Sequence, residues 1–180
     1  MNAAIEKQLS GTDIEAALDR MAEAIANNHR DTADLCLAGI AEGGVPVAQR
    51  LAVKVSKNLG REVTQGVIDV SFHRDDIGSK PIPKITSPTE IPEAVDGGAC
   101  ILIDDVLHTG RSTRAALNEL FDQGRPDRIE LAVLVDRGNR KLPIQPDYVG
   151  FVEVTTNSQD VTVNMDANDS TRDAIVITVT

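Results

Sequence analysis

The run from Ala99 to Ala116, A-C-I-L-I-D-D-V-L-H-T-G-R-S-T-R-A-A, constrains the fold more than any other part of the chain. It opens on a short apolar stretch, Ala99 to Ile103, bounded upstream by Gly97-Gly98. A stretch that short and that apolar predicts a buried parallel strand rather than a helix. Asp104 and Asp105 follow, then a turn crowded with Thr109, Gly110, Arg111, Ser112 and Thr113. Helical spacing resumes in Arg114 to Gln123, where Ala115, Leu117 (or Ala116), Leu120 and Phe121 can share a face. Strand, loop and helix start, in that order, turn unpaired N–H groups and the positive end of a helix dipole toward an anion. Gly110 lets the backbone come close, three hydroxyls add donors and Arg111 adds a full charge. The two acids repel phosphate, but they suit vicinal hydroxyls or a metal ion resting on them. One segment thus offers a phosphate nest beside acceptors for a sugar. Neither G-x-x-x-x-G-K-[ST] nor G-x-G-x-x-G is present, which sets aside those two nucleotide motifs.

The chain of 180 residues predicts one domain, residues 1–180, with a sizeable core. Aromatic residues make up only 2% of it, so the core is expected from Val, Ile, Leu and Ala. No apolar run reaches membrane length, and the N-terminal M-N-A-A-I-E-K-Q lacks the charged and apolar regions of a signal peptide. A cytoplasmic protein with no membrane partner is expected. Cys36 and Cys100 each sit in an apolar stretch and read as buried free thiols on neighbouring central strands. The formal net charge of −10 weighs against a broad nucleic-acid surface, though not against a cleft that gathers a few bases around a polyphosphate.

Thr12 followed by Glu15 predicts a capping box for a helix from Thr12 to Asn28, with Ile14, Leu18, Met21 and Ile25 inward. Leu35 to Ile40 reads as the first buried strand. Gly43-Gly44 breaks it, and Val45 to Leu59 reads as a helix with Val47, Leu51 and Val55 inward. This second strand–glycine–helix junction again aims N–H groups at a ligand. Val63 to Val70 reads as a strand running into S-F-H-R-D-D-I-G, which holds Arg74. Gly78 to Gly98, with four of the chain's eight prolines, reads as a flap over the active site. Gly124 and Pro126 end the helix after the central motif, and Ile129 to Val135 is a fourth strand. Arg137 follows it, on the side of the sheet where open α/β folds bind ligands. Tyr148 to Thr155, Val161 to Met165 and Ile175 to Val179 read as strands that either extend the sheet or form a small antiparallel piece. Strands alternating with helices from Leu35 to Val135 predict an α/β fold: a mostly parallel central sheet flanked by helices.

The central run is similar to the signature of type I phosphoribosyltransferases, which bind 5-phosphoribosyl-1-pyrophosphate (PRPP). More of the chain resembles the pyrimidine operon regulators of the PyrR family. The matching pieces are G-I-A-E-G-G-V-P-V-A-Q-R-L-A, F-H-R-D-D, the central run, and G-R-P-D-R-I-E-L-A-V-L-V-D-R-G-N-R-K-L-P-I-Q-P-D-Y-V-G, in the family's order. The resemblance implies a type I phosphoribosyltransferase fold with a flexible loop over the site. It implies conversion of uracil and PRPP to UMP and pyrophosphate with Mg²⁺, and UMP-responsive attenuation through a messenger-RNA leader. It further implies a homodimer or larger homo-oligomer. Substrate binding would fall to Glu42, Gly43, Arg74, Asp104, Asp105, Val106, Leu107, His108, Thr109, Gly110, Arg111 and Ser112, with Asp104, Asp105 and Arg74 the catalytic residues. Asp104 and Asp105 would also anchor the ribose hydroxyls, directly or through Mg²⁺. Arg74 would reach the pyrophosphate, Arg137 would lie near the base, and Val161 would pack near uracil.

Departures from the family's pattern fall in two places, the substrate site and the RNA-binding face. Where the family carries a Thr-Arg pair in the first loop, this chain has Glu42 and Gly43, and loss of a charged hydrogen bond there costs about 1.5–3 kcal/mol. His108 stands where a tyrosine is common and reads as a turn histidine. Phe151 replaces a lysine typical of RNA-binding members, Ala41 replaces another base, and Phe151 to Met165 contains no Lys or Arg. Arg20, Arg137, Arg140 and Lys141 remain as contacts for RNA. The alternatives to the transferase are a nucleotide-sensing regulator with little or no turnover, and a phosphoribosyltransferase for another base.

Overall fold

The computed structural model describes residues 4–70, 88–92, 95–167 and 169–179. Arg74 and most of the expected flap lie outside them. Five strands form the central sheet: β2 (Leu35–Ile40), β3 (Thr64–Ile68), β4 (Ala99–Leu107), β5 (Arg128–Asp136) and β6 (Tyr148–Val152). Their order is β3-β2-β4-β5-β6, and every pairing is parallel. Helices α1 (Gly11–Asn28) and α2 (Gly44–Leu59) cover one face, and α3 (Arg111–Gln123) covers the other. β2 is buried at every residue, as a strand covered on both sides must be.

Two hydrophobic layers result. Ile14, Leu18, Leu37, Leu51, Ile101 and Ile103 pack on the α1–α2 side, and Ala38, Leu102, Val133, Ala116 and Leu120 on the α3 side. Cys36 pairs in register with Cys100 on the neighbouring strand, and both are buried free thiols as expected. Phe121 does not share the inward face of α3 but is 50% exposed; Thr113, Ala115, Ala116 and Leu120 are the buried residues.

The N-terminus departs from the expectation. Ala4–Ser10 is a strand, β1, which joins β7 (Gln159–Asn164) and β8 (Ala174–Val179) in an antiparallel sheet of order β1-β8-β7. Because Ser10 pairs with Ala174 and ends β1, α1 begins at once. Its cap is Ser10 with Asp13, not Thr12 with Glu15: the Asp13 amide donates to Ser10 Oγ (3.3 Å) and the Ser10 amide donates to Asp13 Oδ2 (2.8 Å). The sequence S-G-T-D-I-E holds both frames, and the strand pairing selects the earlier one.

Arg50 of α2 fastens the small sheet to the core. It pairs with the buried Asp173 and with Glu15 (3.1 Å), and its Nη2 donates to the Asp166 carbonyl (2.7 Å). At the far end of the central sheet Glu130 is buried among donors: His29 Nε2 at 2.7 Å and Tyr148 Oη at 2.8 Å. Against burial, which would raise it, those bonds hold the Glu130 carboxyl below its usual range. Within the Gly78–Gly98 segment the described residues are tied down: Glu90 bridges Val67, and Thr89 Oγ accepts from the Asp69 amide at 3.1 Å. Among the described residues no helix is long and apolar enough to cross a membrane.

Candidate active site

Since all five central strands are parallel, the loops that leave their C-terminal ends gather on one edge. The chain moves from β2 outward to β3, then returns to lay β4 on the other side of β2. This reversal separates the loop after β2 from the loop after β4, and crevices at such points bind ligands.

Asp104 and Asp105 sit on β4 itself rather than after it, since the strand continues to Leu107. Asp104 is buried and Asp105 half-buried. The Asp105 amide donates to Asp104 Oδ1 (3.0 Å) and the Val106 amide to Asp105 Oδ1 (2.8 Å). Burial first, then the charge of Asp105, raises the Asp104 carboxyl well above the ordinary range. An acid pair held this way is poised to receive hydroxyls or a hard cation, either of which relieves the crowding of charge.

The loop after β2 meets this pair directly. A Cβ on Gly43 would run into the Asp105 carboxylate, and one on Gly44 into the Ile103 carbonyl. Only glycines let α2 start so close to β4. Gly43 is the α2 N-cap and supplies no side-chain cap, so first-turn amides face the crevice. Glu42 and Gly43 are exposed, and the Ala41–Glu42 peptide is cis.

The loop after β4 behaves alike. Gly110, at φ +88°, is the α3 N-cap and provides no side-chain bond. Left-handed backbone of this kind favours glycine. The Arg111 amide turns back to Thr109 Oγ (3.3 Å), and the first helical bond runs from the Arg114 amide to the Gly110 carbonyl (3.0 Å). Thr113 Oγ is buried and has no hydrogen-bond partner among the described residues. Arg111 is exposed and Ser112 half-buried. Leu107 is a core side chain, and its carbonyl is taken by the Arg137 amide (3.0 Å); Val106 is partly buried against the opposite layer.

The loop after β5 closes over this turn. Lys141 and Leu142 amides donate to the Thr109 carbonyl (3.1 and 3.2 Å). Arg140 reaches the carbonyls of His108 (3.0 Å), Gly138 (3.2 Å) and Ile144 (3.2 Å), and pairs with Asp136 (2.6 Å). Considered in the sequence only as an RNA contact, Arg140 is a clamp on the His108–Thr109 turn. No spacing rule would have revealed that role, because its partners are backbone carbonyls. Arg137, expected near the base, is 8% exposed, with Nε donating to Thr155 Oγ (2.9 Å) and Nη2 to the Gln159 carbonyl (2.5 Å). It ties β5 to the start of β7, which carries Val161, half-buried against the core. Burial, then the charges of Arg137, Arg140 and Lys141, hold the half-buried His108 imidazole below its usual value.

An acid pair thus lies between two helix starts that lack side-chain caps, at the sheet's turning point, an arrangement suited to a sugar phosphate. In agreement, residues 9–168 match the model of the phosphoribosyl transferase domain. The chain is 43% identical over 182 residues to the bifunctional protein PyrR of Corynebacterium glutamicum, covering 98% of this chain and 94% of that one. It is 40% identical to that of Pelotomaculum thermopropionicum, over 91% of each chain. The chain belongs to the PyrR family of phosphoribosyltransferases. Its fold is similar to hypoxanthine phosphoribosyltransferase of Trypanosoma cruzi, with a TM-score of 0.70 at 19% identity and 98% of both chains covered. It is also similar to a hypoxanthine-guanine phosphoribosyltransferase of Bacillus anthracis, with a TM-score of 0.68 at 16% identity, covering 98% of this chain and 99% of that one.

Proposed function

We propose that the protein joins uracil to the ribose of PRPP, giving UMP and pyrophosphate, and that UMP binding in the same crevice serves regulation of pyrimidine genes. The observation that carries this reading is the contact of Gly43 with Asp105, which sets a helix start against an acid pair.

The 5′-phosphate sits on the first-turn amides of α3, with the hydroxyls of Thr109 and Ser112 and the charge of Arg111 around it. Asp104 and Asp105 accept hydrogen bonds from the ribose hydroxyls. As the bond from C1 to the pyrophosphate oxygen breaks, positive charge grows on the ring, and the two carboxylates stabilise it. Uracil N1 forms the new bond to C1 and its proton leaves to solvent or a neighbouring base. The pyrophosphate departs toward the amides at the start of α2. Hard oxygen donors such as this acid pair fit Mg²⁺, which when bound neutralises charge on the leaving pyrophosphate. The base lies on the side of the His108 turn and the loop after β5, where Arg137 and Val161 frame it. Arg74 completes the pyrophosphate side.

Glu42 favours a second reading, a UMP sensor with little turnover, since an acid beside the leaving polyanion repels it. Free buried thiols suit the cytoplasm, and the exposed Val152 at the end of β6 and Val154 just after it suit self-association in a homo-oligomer. Initial rates with uracil, hypoxanthine and orotate, each with PRPP and Mg²⁺, test the proposal. UMP formation from uracil at least tenfold faster than product from the others is expected. Absence of UMP removes the transferase and leaves the sensor; preference for hypoxanthine replaces uracil.

A further inference from the structure

A pyrophosphate leaving toward α2 needs positive charge, yet the loop there offers Glu42 and glycines. A cavity of about 410 Å³ opens beside Gly43 and Pro46. Its far wall comes from the small sheet: Val163 and Asn164 on β7, then Met165, Asp166 and Arg172. Among the described residues lining it, Arg172 is the only base.

The setting of Arg172 differs from that of the neighbouring Arg50. Arg50 is locked by several short contacts to Asp173, Glu15 and the Asp166 carbonyl. The Arg172 side chain is 73% exposed, against 21% for Arg50, and among the described residues it meets only two exposed or half-exposed acids, Asp169 at 3.3 Å and Asp166 at 3.8 Å. Its backbone, by contrast, is fixed. Asp169 caps the 3-10 turn Ser170–Arg172 by accepting from the Thr171 amide (3.1 Å), and the next residue, Asp173, is bound by Arg50 and by the Asp166 amide (2.7 Å). A rigid base with a lightly held guanidinium is arranged to exchange a carboxylate for a stronger anion. Phosphate oxygens accept paired N–H bonds from the guanidinium fork, shorter than the contacts it makes here. Asp169, the nearer carboxylate, and Asp166 then act as the resting counter-ions.

We propose that Arg172 is a substrate-binding residue for the pyrophosphate group, providing from the small sheet the charge that the first loop lacks. The inference rests on the phosphoribosyltransferase reading and assigns the leaving-group side of that site.

Calorimetry in Mg²⁺ buffer separates the two claims, since it reads binding without turnover. Wild type and Arg172→Gln are titrated with pyrophosphate, PRPP and UMP, and rates of UMP formation are measured alongside. Arg172→Gln should weaken pyrophosphate and PRPP at least tenfold and leave UMP, which lacks that group, within twofold; Arg172→Lys should recover part of the loss. Melting temperature should not change. If the wild type binds PRPP but forms no UMP, the activity reading fails while Arg172 is still judged by the binding difference. Equal loss for UMP and pyrophosphate, no loss for either, or a wild type that does not bind pyrophosphate would each overturn the proposal.

Discussion

At Gly43 a single missing Cβ leaves room for the Asp105 carboxylate, which the proposed reaction needs for the ribose. A methyl there would meet the Asp105 carboxylate, the flexible end of a side chain, so the acid yields and the backbone does not. Gly43→Ala should lower kcat/KM for PRPP by at least tenfold, about 1.4 kcal/mol. Its melting temperature should stay within a few degrees of wild type. Asp104 makes the opposite trade. Its carboxyl pKa is higher in the folded chain than the roughly 3.9 of an unfolded one. The stability it lends is therefore present below that unfolded value and lost as pH rises through the folded one. Without nucleotide or Mg²⁺, Asp104→Asn should melt above wild type at neutral pH, the gap closing below about pH 4, while turnover falls. A variant less stable at neutral pH would show that the buried carboxylate is not strained. The acids, the T-G turn and the hydroxyls were all legible in the sequence, because local order alone specifies them. The contact of Gly43 with Asp105 was not, since those residues lie far apart in the chain.

At the scale of elements, the buried strands and the helices behind them were read closely. β2 falls at Leu35–Ile40 as expected, and α2 begins one residue early at Gly44. Period and glycine breaks suffice where a strand is buried on both faces. β4 was harder: acids suggested its end, yet pairing with β5 carries it to Leu107. β1 escaped notice because its exposed residues show no alternation, and only pairing with β8 makes it a strand. The cap moves with it. Ser10→Ala should cost about 1 kcal/mol by denaturant unfolding, whereas Thr12→Ala should cost little. The reverse ranking would restore Thr12 as the cap.

For the whole molecule, charge and docking set the partners. Of the four bases the sequence left for RNA, Arg137 is buried and Arg140 is engaged with Asp136 and four carbonyls. Arg20 and Lys141 are the exposed ones. Two phosphate contacts on a single strand give a log–log salt slope of about −1.4. Binding of a pyrimidine-operon leader, with and without UMP, should therefore be weak and shallow in salt. A slope steeper than about −4 would require a basic face that these four residues do not make. The central claim, however, concerns the crevice where the loops after β2 and β4 face each other. A crystal structure with UMP tests it most directly. The 5′-phosphate should lie within hydrogen-bond distance of the amides of Arg111, Ser112 and Thr113, with ribose hydroxyls on Asp104 and Asp105. A phosphate bound anywhere else would contradict the account.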